Sequence, residues 1–519
     1  MADLTYDADV AIIGYGPSGV AAANALGARG VSTVAFERDR DVYSRARAVT
    51  VNDWTMRCLQ SVDLDRPALE DMDETVALRW VTYDGHELLH LPFPPGQLGF
   101  ATSYAIYQPL LEQTLRDGAG RFDTGTVRFG VEVVGVEQDD DGVTVTTQDL
   151  DTGAVVTTRA KYALACDGGS SFTRRELGVE MQGDTIPVKW IVIDAKVKRW
   201  WPNRHILTFW SDSKRPVVDI ALGRGNHRWE IPLGPDESED QFATNADVVP
   251  LLEELGVSPD DVDIHQFAFY SHHIRMADRW RVGRVLLVGD AGHLMPPWAG
   301  AGMQSGVRDA FNVSWKLTEV LKGRLPEETL DTYQAERQPN VAFFTEVAIG
   351  LGKIIKQELT PEEMAAMAPE PGELPPLLWP PFYVGGWLRG VPTPDSAVGK
   401  MIPQPLAADT RGVIKPLDDL IGPGFVLLGD NVDPASLLSA DERSGWDALG
   451  ARYLAIRSSD QRTETDEEIV DLDGSLLEWM RQFGVGTIAV RPDKFVAASD
   501  AAGLGVPEPA GVPPLPPPA

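Results

Sequence analysis

Residues 10–37, VAIIGYGPSGVAAANALGARGVSTVAFE, decide the fold of this chain. The apolar run at 10–13 has the length of a short buried strand, and the alanine-rich run at 20–29 has the composition of a helix. A second strand-like run follows at 33–36. A strand, a helix and another strand in this order predict a βαβ unit, and therefore a parallel sheet in an α/β fold.

The turn between the first strand and the helix carries the pattern GxGxxG. In this pattern Gly14 permits a tight turn, Gly16 lets backbone approach a pyrophosphate, and Gly19 lets the helix pack closely on the sheet. Glu37 ends the second strand, eighteen positions after Gly19, where an acid can bind the hydroxyl pair of an unphosphorylated ribose. The unit predicts FAD or NAD binding, with a purely structural glycine turn as the alternative. The candidate contacts are Gly14, Gly16, Pro17, Ser18, Gly19, Glu37 and Arg38.

The composition argues against several other classes of function. The 519 residues contain 46 Lys and Arg against 77 Asp and Glu, a net charge of −31, whereas a nucleic-acid site needs a basic surface. Two cysteines, Cys58 and Cys166, cannot form a disulfide framework, and the scattered histidines do not suggest a metal site. The N-terminal segment lacks the basic start of a signal peptide, and no apolar run reaches the length of a membrane helix. We expect a cytoplasmic protein without a membrane or nucleic-acid partner.

Composition shifts divide the chain into three parts. Strand-like and helix-like runs alternate over residues 1–180 and return over 270–400, which predicts one discontinuous domain. The aromatic, strand-rich segment 181–269 is predicted to be a sheet inserted between these two segments. Residues 401–510 form a third region with strands of its own, and a Pro-rich tail follows at 511–519.

Two further strand-like runs end on an acid followed by small residues. They lead into Asp167 of CDGGSSFTRREL and Asp290 of GDAGHLMPPWAGAGMQSGVRDAF. Either acid alone could simply cap a helix after a turn. Together with GxGxxG, in this order, they resemble the class A flavoprotein monooxygenases, or aromatic-ring hydroxylases, which carry GxGxxG, DG and GD motifs. The chain also has that family's arginine and glutamine, as Arg47 in SRARAVTVND and Gln108 in IYQPLLEQTLR.

Longer segments make the resemblance closer. KWIVIDAKV, VLLVGDAGHLMPPW and SGVRDAFNVSWKL are similar to the 3-(3-hydroxyphenyl)propionate hydroxylase subfamily, and the similarity covers almost the whole chain. It implies a Rossmann-like FAD-binding domain (1–180 and 270–400), an inserted β-sheet substrate domain (181–269) and a thioredoxin-like C-terminal domain (401–510). Because the last region contains no CxxC pattern, we predict a structural role for it, or a role in the contacts of a homodimer.

The resemblance also implies the contacts of FAD. The acid of the GD motif, Asp290, reaches the ribityl chain, and the loop after it lies along the isoalloxazine ring. Backbone N–H groups at the following helix start then face the N1/O2 edge, where they stabilise negative charge. Two residues depart from the family: Ala301 replaces a common Gln, and Ala46 stands where a Pro often precedes the arginine. The implied contacts are Arg47, Gln108, Asp167, Gly289, Asp290, Pro297, Gly300, Ala301, Gly302 and Met303.

The activity that the resemblance implies is hydroxylation of a phenol. NADH or NADPH reduces FAD and binds only transiently, because no second GxGxxG occurs. The reduced flavin and O2 form a C4a-hydroperoxide, whose distal oxygen is transferred to the aromatic ring. The first substrate candidate is 3-(3-hydroxyphenyl)propionate or a 3-hydroxycinnamate-like acid. A quinolone, resorcinol or polyketide aromatic is the alternative within the class, and an FAD-dependent dehydrogenase or reductase is the alternative outside it.

The aromatic segment supplies the candidates for substrate contact. Trp190, Trp210 and Trp229, together with Pro297, could form a flat apolar pocket, and core packing is the alternative for each indole. The candidates for removing the phenolic proton lie in FAFYSHHIRM and are Tyr270 and His272. Histidine titrates near neutral pH and suits this task. A packed histidine at a strand end is the alternative.

Overall fold

The strand–helix–strand unit predicted at the N-terminus is present in the computed structural model. It consists of β1 (Ala8–Ile13), α1 (Pro17–Gly27) and β2 (Thr33–Glu37). β1 pairs in parallel with β2, and the apolar side chains of both strands are buried. The described residues are 5–44, 47–360, 362–363 and 373–509. Ala46 and the predicted tail at 511–519 lie outside them.

The βαβ unit belongs to the first sheet, whose strand order is β17–β18–β11–β1–β2–β8, with β10 pairing β11 and β9. The other strands of this sheet are β8 (Gly125–Phe129), β9 (Val131–Gln138), β10 (Val143–Asp149), β11 (Val155–Ala165), β17 (Arg281–Val282) and β18 (Val285–Leu287). β1, β11 and β18 run in parallel, so their carboxyl ends meet at one edge. This edge brings together the segments that contain Gly14, Asp167 and Gly289.

Two long helices pack against α1 on this sheet, α4 (Gln108–Ala119) and α7 (Gly302–Leu321). The contact between α1 and α7 is close because both Gly289 and Gly306 lie against Ser18. A Cβ at either glycine would overlap the Ser18 hydroxyl. The start of α7 is therefore held beside the glycine turn.

The second sheet has the strand order β19–β16–β12–β15–β14–β13–β5–β6. Its strands are β5 (Ala77–Val81), β6 (Glu87–Pro92), β12 (Met181–Val197), β13 (Ile206–Trp210), β14 (Val217–Leu222), β15 (Asn226–Pro232), β16 (Val262–Ala277) and β19 (His293–Leu294). Helix α6 (Asn245–Glu253) packs against one face of it. The sheet extends beyond the segment 181–269, because β5 pairs with β13 and β16 continues to Ala277.

The C-terminal region forms a mixed sheet with the order β21–β20–β24–β23–β22–β25–β26. Its strands are β20 (Leu406–Ala408), β21 (Ile414–Pro416), β22 (Val426–Asp430), β23 (Arg452–Ser458), β24 (Glu468–Asp471), β25 (Thr487–Val490) and β26 (Val496–Ser499). The helices of this region are α9 (Leu417–Ile421), α10 (Ala440–Ala448) and α11 (Ser475–Gln482). β22, β23 and β24 are parallel, whereas β25 and β26 run antiparallel to their neighbours.

A buried ionic cluster joins this region to the preceding part of the chain. Glu336, on α8 (Thr332–Ile355), lies 2.7 Å from both Lys316 and Arg491, and it also accepts a 2.6 Å hydrogen bond from Asn312. Although burial opposes ionisation, Arg491 and Lys316 hold the pKa of Glu336 at about 2. Because removing one partner of a buried pair is costly, the cluster fixes the C-terminal region against α7 and α8.

The remaining elements connect the two sheets. They are β3 (Thr50–Asn52), α2 (Asp53–Gln60), α3 (Asp65–Leu69), β4 (Asp73–Glu74), β7 (Ser103–Ala105) and α5 (Phe172–Glu176). Within the described ranges, no helix is long and apolar enough to cross a membrane. The same ranges contain no group of His, Cys, Asp and Glu side chains placed to hold a metal ion.

Candidate active site

The glycine turn that joins β1 to α1 leaves space at its centre. Gly14 has φ +90°, and a Cβ there would lie 2.5 Å from the carbonyl oxygen of Cys166. A Cβ at Gly19 would overlap the carbonyl oxygen of Gly14, whereas a Cβ at Gly16 would meet no protein atom within 4 Å. The open space at Gly16 lies at the N-terminus of α1, where free N–H groups stabilise an anion. The turn therefore fits a pyrophosphate group.

Glu37 ends β2, as the sequence predicts, and contacts the glycine turn. Its carboxylate accepts hydrogen bonds from the backbone N–H groups of Tyr15 at 2.7 Å and Asp39 at 3.0 Å. The neighbouring Arg38 is exposed, with its Nε 3.9 Å from the Asp39 carboxylate. Glu37 thus has the position that recognition of a ribose requires.

Asp167 follows β11 and organises the DG segment by local hydrogen bonds. Its carboxylate accepts from the Ser171 hydroxyl at 2.5 Å and from the Thr173 N–H at 2.9 Å. Arg174 donates to the carbonyl oxygen of Ala291 at 3.0 Å and so ties this segment to the GD turn. The role of Asp167 in this geometry is to support the loops around the glycine turn.

The GD turn is held from beneath by a second acid, Asp309 of α7. Its carboxylate accepts from the Gly289 N–H at 3.2 Å and from Arg337 Nε at 2.7 Å, and it lies 2.6 Å from His293 Nε2. His293 is therefore a buried structural residue. Asp290 points to the other side, where it lines a cavity, and burial raises the pKa of its carboxyl group.

The loop after the GD turn forms one wall of this cavity, which has a volume of about 520 Å³. Gly300 has φ +58°, and a Cβ there would overlap the hydroxyl of Thr50. α7 begins immediately afterwards, with Ala301 as its N-cap residue. The predicted contacts that line the cavity are Arg47, Asp290, Pro297, Gly300, Ala301, Gly302 and Met303. A helix N-terminus thus borders the cavity, an arrangement that stabilises negative charge on a bound ring.

Gln108 does not line the cavity but positions a segment that does. Its Oε1 accepts hydrogen bonds from the backbone N–H groups of Arg47 and Ala48, both at 2.7 Å. The carbonyl oxygen of Arg47 in turn accepts from Arg228 at 3.0 Å. Gln108 and Arg228 therefore hold the Arg47 segment between the two sheets.

A second wall of the cavity comes from the inner face of the second sheet, which we define by Phe209, Val218 and Glu230. These residues occupy paired register positions across β13, β14 and β15, so their side chains share one face, and all three line the cavity. Glu230 is only 7% exposed, and burial raises the pKa of its carboxyl group. This part of the wall therefore has two apolar side chains beside one buried acid, and the buried Arg228–Asp194 pair lies two positions further along the same face.

Trp190 lies on the inner face but behind the cavity wall. Its ring is 6.2 Å from that of Trp298, which lines the cavity, and 5.4 Å from that of His272. Trp190 is 1% exposed and does not appear in the lining. Its contact with a substrate would therefore be indirect, through Trp298.

Trp210 and Trp229 lie on the outer face of the sheet. Trp210 directly follows Phe209, and Trp229 directly precedes Glu230. Since Phe209 and Glu230 are on the inner face, and successive side chains of a strand point to opposite faces, both indoles are on the outer face. Trp229 packs in the cluster beneath α6, and Trp210 Nε1 donates to Asp219 at 3.1 Å. The predicted substrate contact does not fit this placement of Trp210 and Trp229.

The two candidates for proton removal also lie outside the cavity lining. Tyr270 pairs with Trp190 across β12 and β16, is half-buried, and has a pKa that burial raises. His272 packs 5.4 Å from the ring of Trp298, and burial lowers its pKa to about 4. His272 is therefore neutral near pH 7 and separated from the cavity by an indole.

The sequence analysis missed several lining residues. They include Glu230, Phe209 and Trp298, which lie in or beside segments that the sequence analysis named. For the two strand residues, Glu230 and Phe209, the one available signal was the alternation of side chains along a strand. Arg308 of α7 also lines the cavity, and its guanidinium lies 4.3 Å from the ring centroid of Trp54. Burial lowers the pKa of Arg308 to about 9.

These features together define a class of protein. A parallel sheet with an open glycine turn, an acid at the end of the second strand and a helix start beside a large cavity are typical of flavin-dependent enzymes that bind FAD through a βαβ unit. The parts that would contact the two ends of FAD lie on one edge of the first sheet.

Comparisons with known proteins identify the family. A family model described as FAD binding domain matches residues 7–348, and one described as HcaD C-terminal domain matches residues 399–505. The chain belongs to the FAD-binding-domain family of aromatic hydroxylases, and FAD is its cofactor.

Curated relatives from Burkholderia cenocepacia and Mycolicibacterium smegmatis are both named 3-(3-hydroxy-phenyl)propionate/3-hydroxycinnamic acid hydroxylase. Each is 34% identical to this chain, and the similarity covers 95% of this chain and 94% and 91% of the respective relatives. The crystal structure of the flavin-dependent monooxygenase PieE in complex with FAD and substrate has the same fold, with a TM-score of 0.81 and 24% identity. That match covers 95% of this chain and 96% of PieE.

Proposed function

We propose that this chain is a single-component monooxygenase that uses NADH or NADPH and O2 to hydroxylate a phenolic acid, with 3-(3-hydroxyphenyl)propionate or 3-hydroxycinnamate as the first candidate. The observation that carries the proposal is the cavity between the start of α7 and the inner face of the second sheet. Its volume of about 520 Å³ is in the range of small-molecule sites. The names of the full-length relatives supply the substrate candidate.

In the proposal, bound FAD supplies the activation of O2, and the chain supplies binding, orientation and a dry cavity. The glycine turn holds the pyrophosphate, Glu37 the ribose and Asp290 the ribityl chain. Backbone N–H groups at 301–303 stabilise the negative edge of the ring. Gln108 and Asp167 act as supports for these contacts, since their hydrogen bonds are made to neighbouring backbone and hydroxyl groups.

The apolar walls suit a ring that must react away from water. Phe209, Val218 and Trp298 line the cavity together with Leu78 and Pro297. Excluding water favours transfer of oxygen to the ring over loss of hydrogen peroxide. We assign the substrate ring to this side of the cavity.

We further propose the domain arrangement that the resemblance implies. Residues 1–180 and 270–400 form a Rossmann-like FAD-binding domain, 181–269 the core of the substrate domain, and 401–510 a thioredoxin-like domain. The parallel strands β22, β23 and β24 flanked by antiparallel β25 support the last assignment. A homodimer and a cytoplasmic location belong to the same proposal.

A second candidate keeps the chemistry and changes the substrate to a quinolone, resorcinol or polyketide aromatic. Ala301 favours it, because this residue lines the cavity with only a methyl group, where the family resemblance implies a longer Gln side chain. A panel of phenolic acids, resorcinols and larger aromatics distinguishes the candidates. Both NAD(P)H oxidation and hydroxylated product are measured, with each aromatic omitted in turn as the control.

The panel also tests the alternative of an FAD-dependent dehydrogenase or reductase. We expect that, of all the aromatics in the panel, 3-hydroxyphenyl acids give the most hydroxylated product for each NAD(P)H oxidised. Preferred hydroxylation of a larger neutral aromatic would favour the second candidate. NAD(P)H oxidation without any oxygenated product across the panel would contradict both.

A further inference from the structure

We propose that Glu230 accepts the proton of the phenolic hydroxyl when the substrate is hydroxylated, an inference that rests on the proposed function. Neither Tyr270 nor His272 lines the cavity, whereas Glu230 does. The side chains before and after it, Trp229 and Ile231, pack on the outer face of the sheet, in the hydrophobic cluster beneath α6. Because successive side chains of a strand alternate between faces, Glu230 points to the inner face.

The register of the second sheet places Glu230 in the middle of the inner face. Val192 of β12 and Val218 of β14 pair with Glu230 from either side, and Phe209 of β13 pairs with Val218. This row is apolar apart from Glu230. A buried carboxyl among valine and phenylalanine side chains is costly unless a ligand or a neighbour hydrogen-bonds to it.

Arg228 of the neighbouring ionic pair also interacts with this carboxyl group, and its charge opposes the effect of burial on the Glu230 pKa. Arg228 forms two hydrogen bonds with Asp194, at 2.8 Å and 2.9 Å, and Asp194 also accepts from Gln266 at 2.9 Å. The nearest contact of Glu230 with this pair is Oε1 to Arg228 Nη1, at 3.7 Å. Two carboxyl groups thus share the neighbourhood of one guanidinium, and Glu230 is the one that borders the cavity.

The proton transfer is a simple acid–base step. The phenolic O–H bond breaks, the proton forms an O–H bond with the Glu230 carboxylate, and the electron pair stays on the phenolic oxygen. The ring then has the electron density that attack on an electrophilic oxygen requires. A phenol has a pKa of about 10 and an ordinary Glu about 4.5. Burial raises the pKa of Glu230, which narrows this gap and improves the carboxylate as a base.

The test uses phenols of graded acidity. FAD-loaded wild type and Glu230→Gln are compared in single-turnover product formation with 3-(3-hydroxyphenyl)propionate and with fluorinated and nitrated analogues. For the parent phenol we expect a fall of about 100- to 10,000-fold in the variant. For an analogue that is already ionised at the assay pH, the variant should approach the wild-type rate. The dissociation constant of each analogue and the FAD content are measured alongside.

A matched control removes a carboxylate from the other face of the same sheet. Asp219 contacts His227 and Trp210 there, so Asp219→Asn should change product formation by no more than about twofold. Glu230→Asp retracts the carboxyl group by one methylene and should be slower than wild type with the same dependence on phenol acidity. This second variant keeps the test decisive if the Gln variant does not fold.

The outcomes separate this inference from the proposed function. A defect in Glu230→Gln that is equal for acidic and ordinary phenols, or no defect, overturns the role of Glu230 while leaving the hydroxylase intact. Absence of product from wild type with every phenol removes the proposed function, and the inference with it. A defect that disappears as the phenol becomes more acidic supports both.

Discussion

Gly16→Val should separate FAD binding from folding. The backbone at Gly16 has φ −72° and ψ −170°, a conformation open to any residue, and a Cβ there meets no protein atom within 4 Å. We therefore expect the FAD-free variant to lose only about 1 kcal/mol or less of stability, in line with other substitutions at an N-cap. The isopropyl group would occupy the space assigned to the pyrophosphate and raise the Kd for FAD by about 100-fold, or about 2.7 kcal/mol.

Thermal unfolding with and without FAD measures both effects. At an FAD concentration of 100 times the wild-type Kd, binding stabilises the wild type by about 2.7 kcal/mol, and a 100-fold weaker variant by only about 0.4 kcal/mol. Gly19→Ala is the control, since its Cβ would overlap the Gly14 carbonyl oxygen and should cost about 1–3 kcal/mol without FAD. A folded Gly16→Val protein that binds FAD as tightly as wild type would refute the placement of the pyrophosphate.

Three further predictions concern other parts of the molecule. Glu336→Gln should lower the free energy of unfolding by about 3–5 kcal/mol in urea titrations, because Arg491 and Lys316 lose a buried partner; a loss below 1 kcal/mol would contradict this. The folded pKa of Glu336, about 2, lies below the ordinary 4.5, so its contribution is present above pH 4.5 and is lost as the pH falls towards 2. His272→Asn should leave product formation unchanged between pH 6 and 8, since burial lowers the pKa of His272 to about 4. A shift in the pH profile of product formation would restore His272 as a catalytic candidate. The lowered pKa also means that the stability contributed by neutral His272 is lost as the pH falls from 6.5 towards 4, a loss that the variant should not show in unfolding measurements. Ala301→Gln should reduce kcat/KM for the largest accepted aromatic about tenfold more than for the smallest, because the longer side chain enters the cavity. Equal reductions for both substrates would contradict the position of Ala301 in the substrate cavity.

The N-terminal βαβ unit was predictable because its signals are local. Gly14, Gly16 and Glu37 lie within one βαβ unit, where turn geometry and strand ends decide the positions of all three. The acids Asp167 and Asp290 were also predictable, since each follows a buried strand. Their proximity, however, follows from the parallel pairing of β1, β11 and β18.

The substrate side was less predictable because it depends on pairing between distant strands. Trp210 and Trp229 were predicted as substrate contacts because of their residue type. Which face of the sheet a side chain occupies, however, depends on the register of its strand with the neighbouring strands. Glu230 was overlooked for the same reason, although it lies one position from Trp229. β5 could not be assigned to the second sheet from local sequence, because its partner β13 lies more than a hundred residues away.

Incorporation of ¹⁸O tests the proposed hydroxylation most directly. The FAD-loaded protein is given NADH or NADPH, 3-(3-hydroxyphenyl)propionate and ¹⁸O2, and the product is examined by mass spectrometry. We predict one ¹⁸O atom in a new ring hydroxyl and about one product molecule for each NAD(P)H oxidised. Oxidation of NAD(P)H without labelled product from any phenol would contradict it.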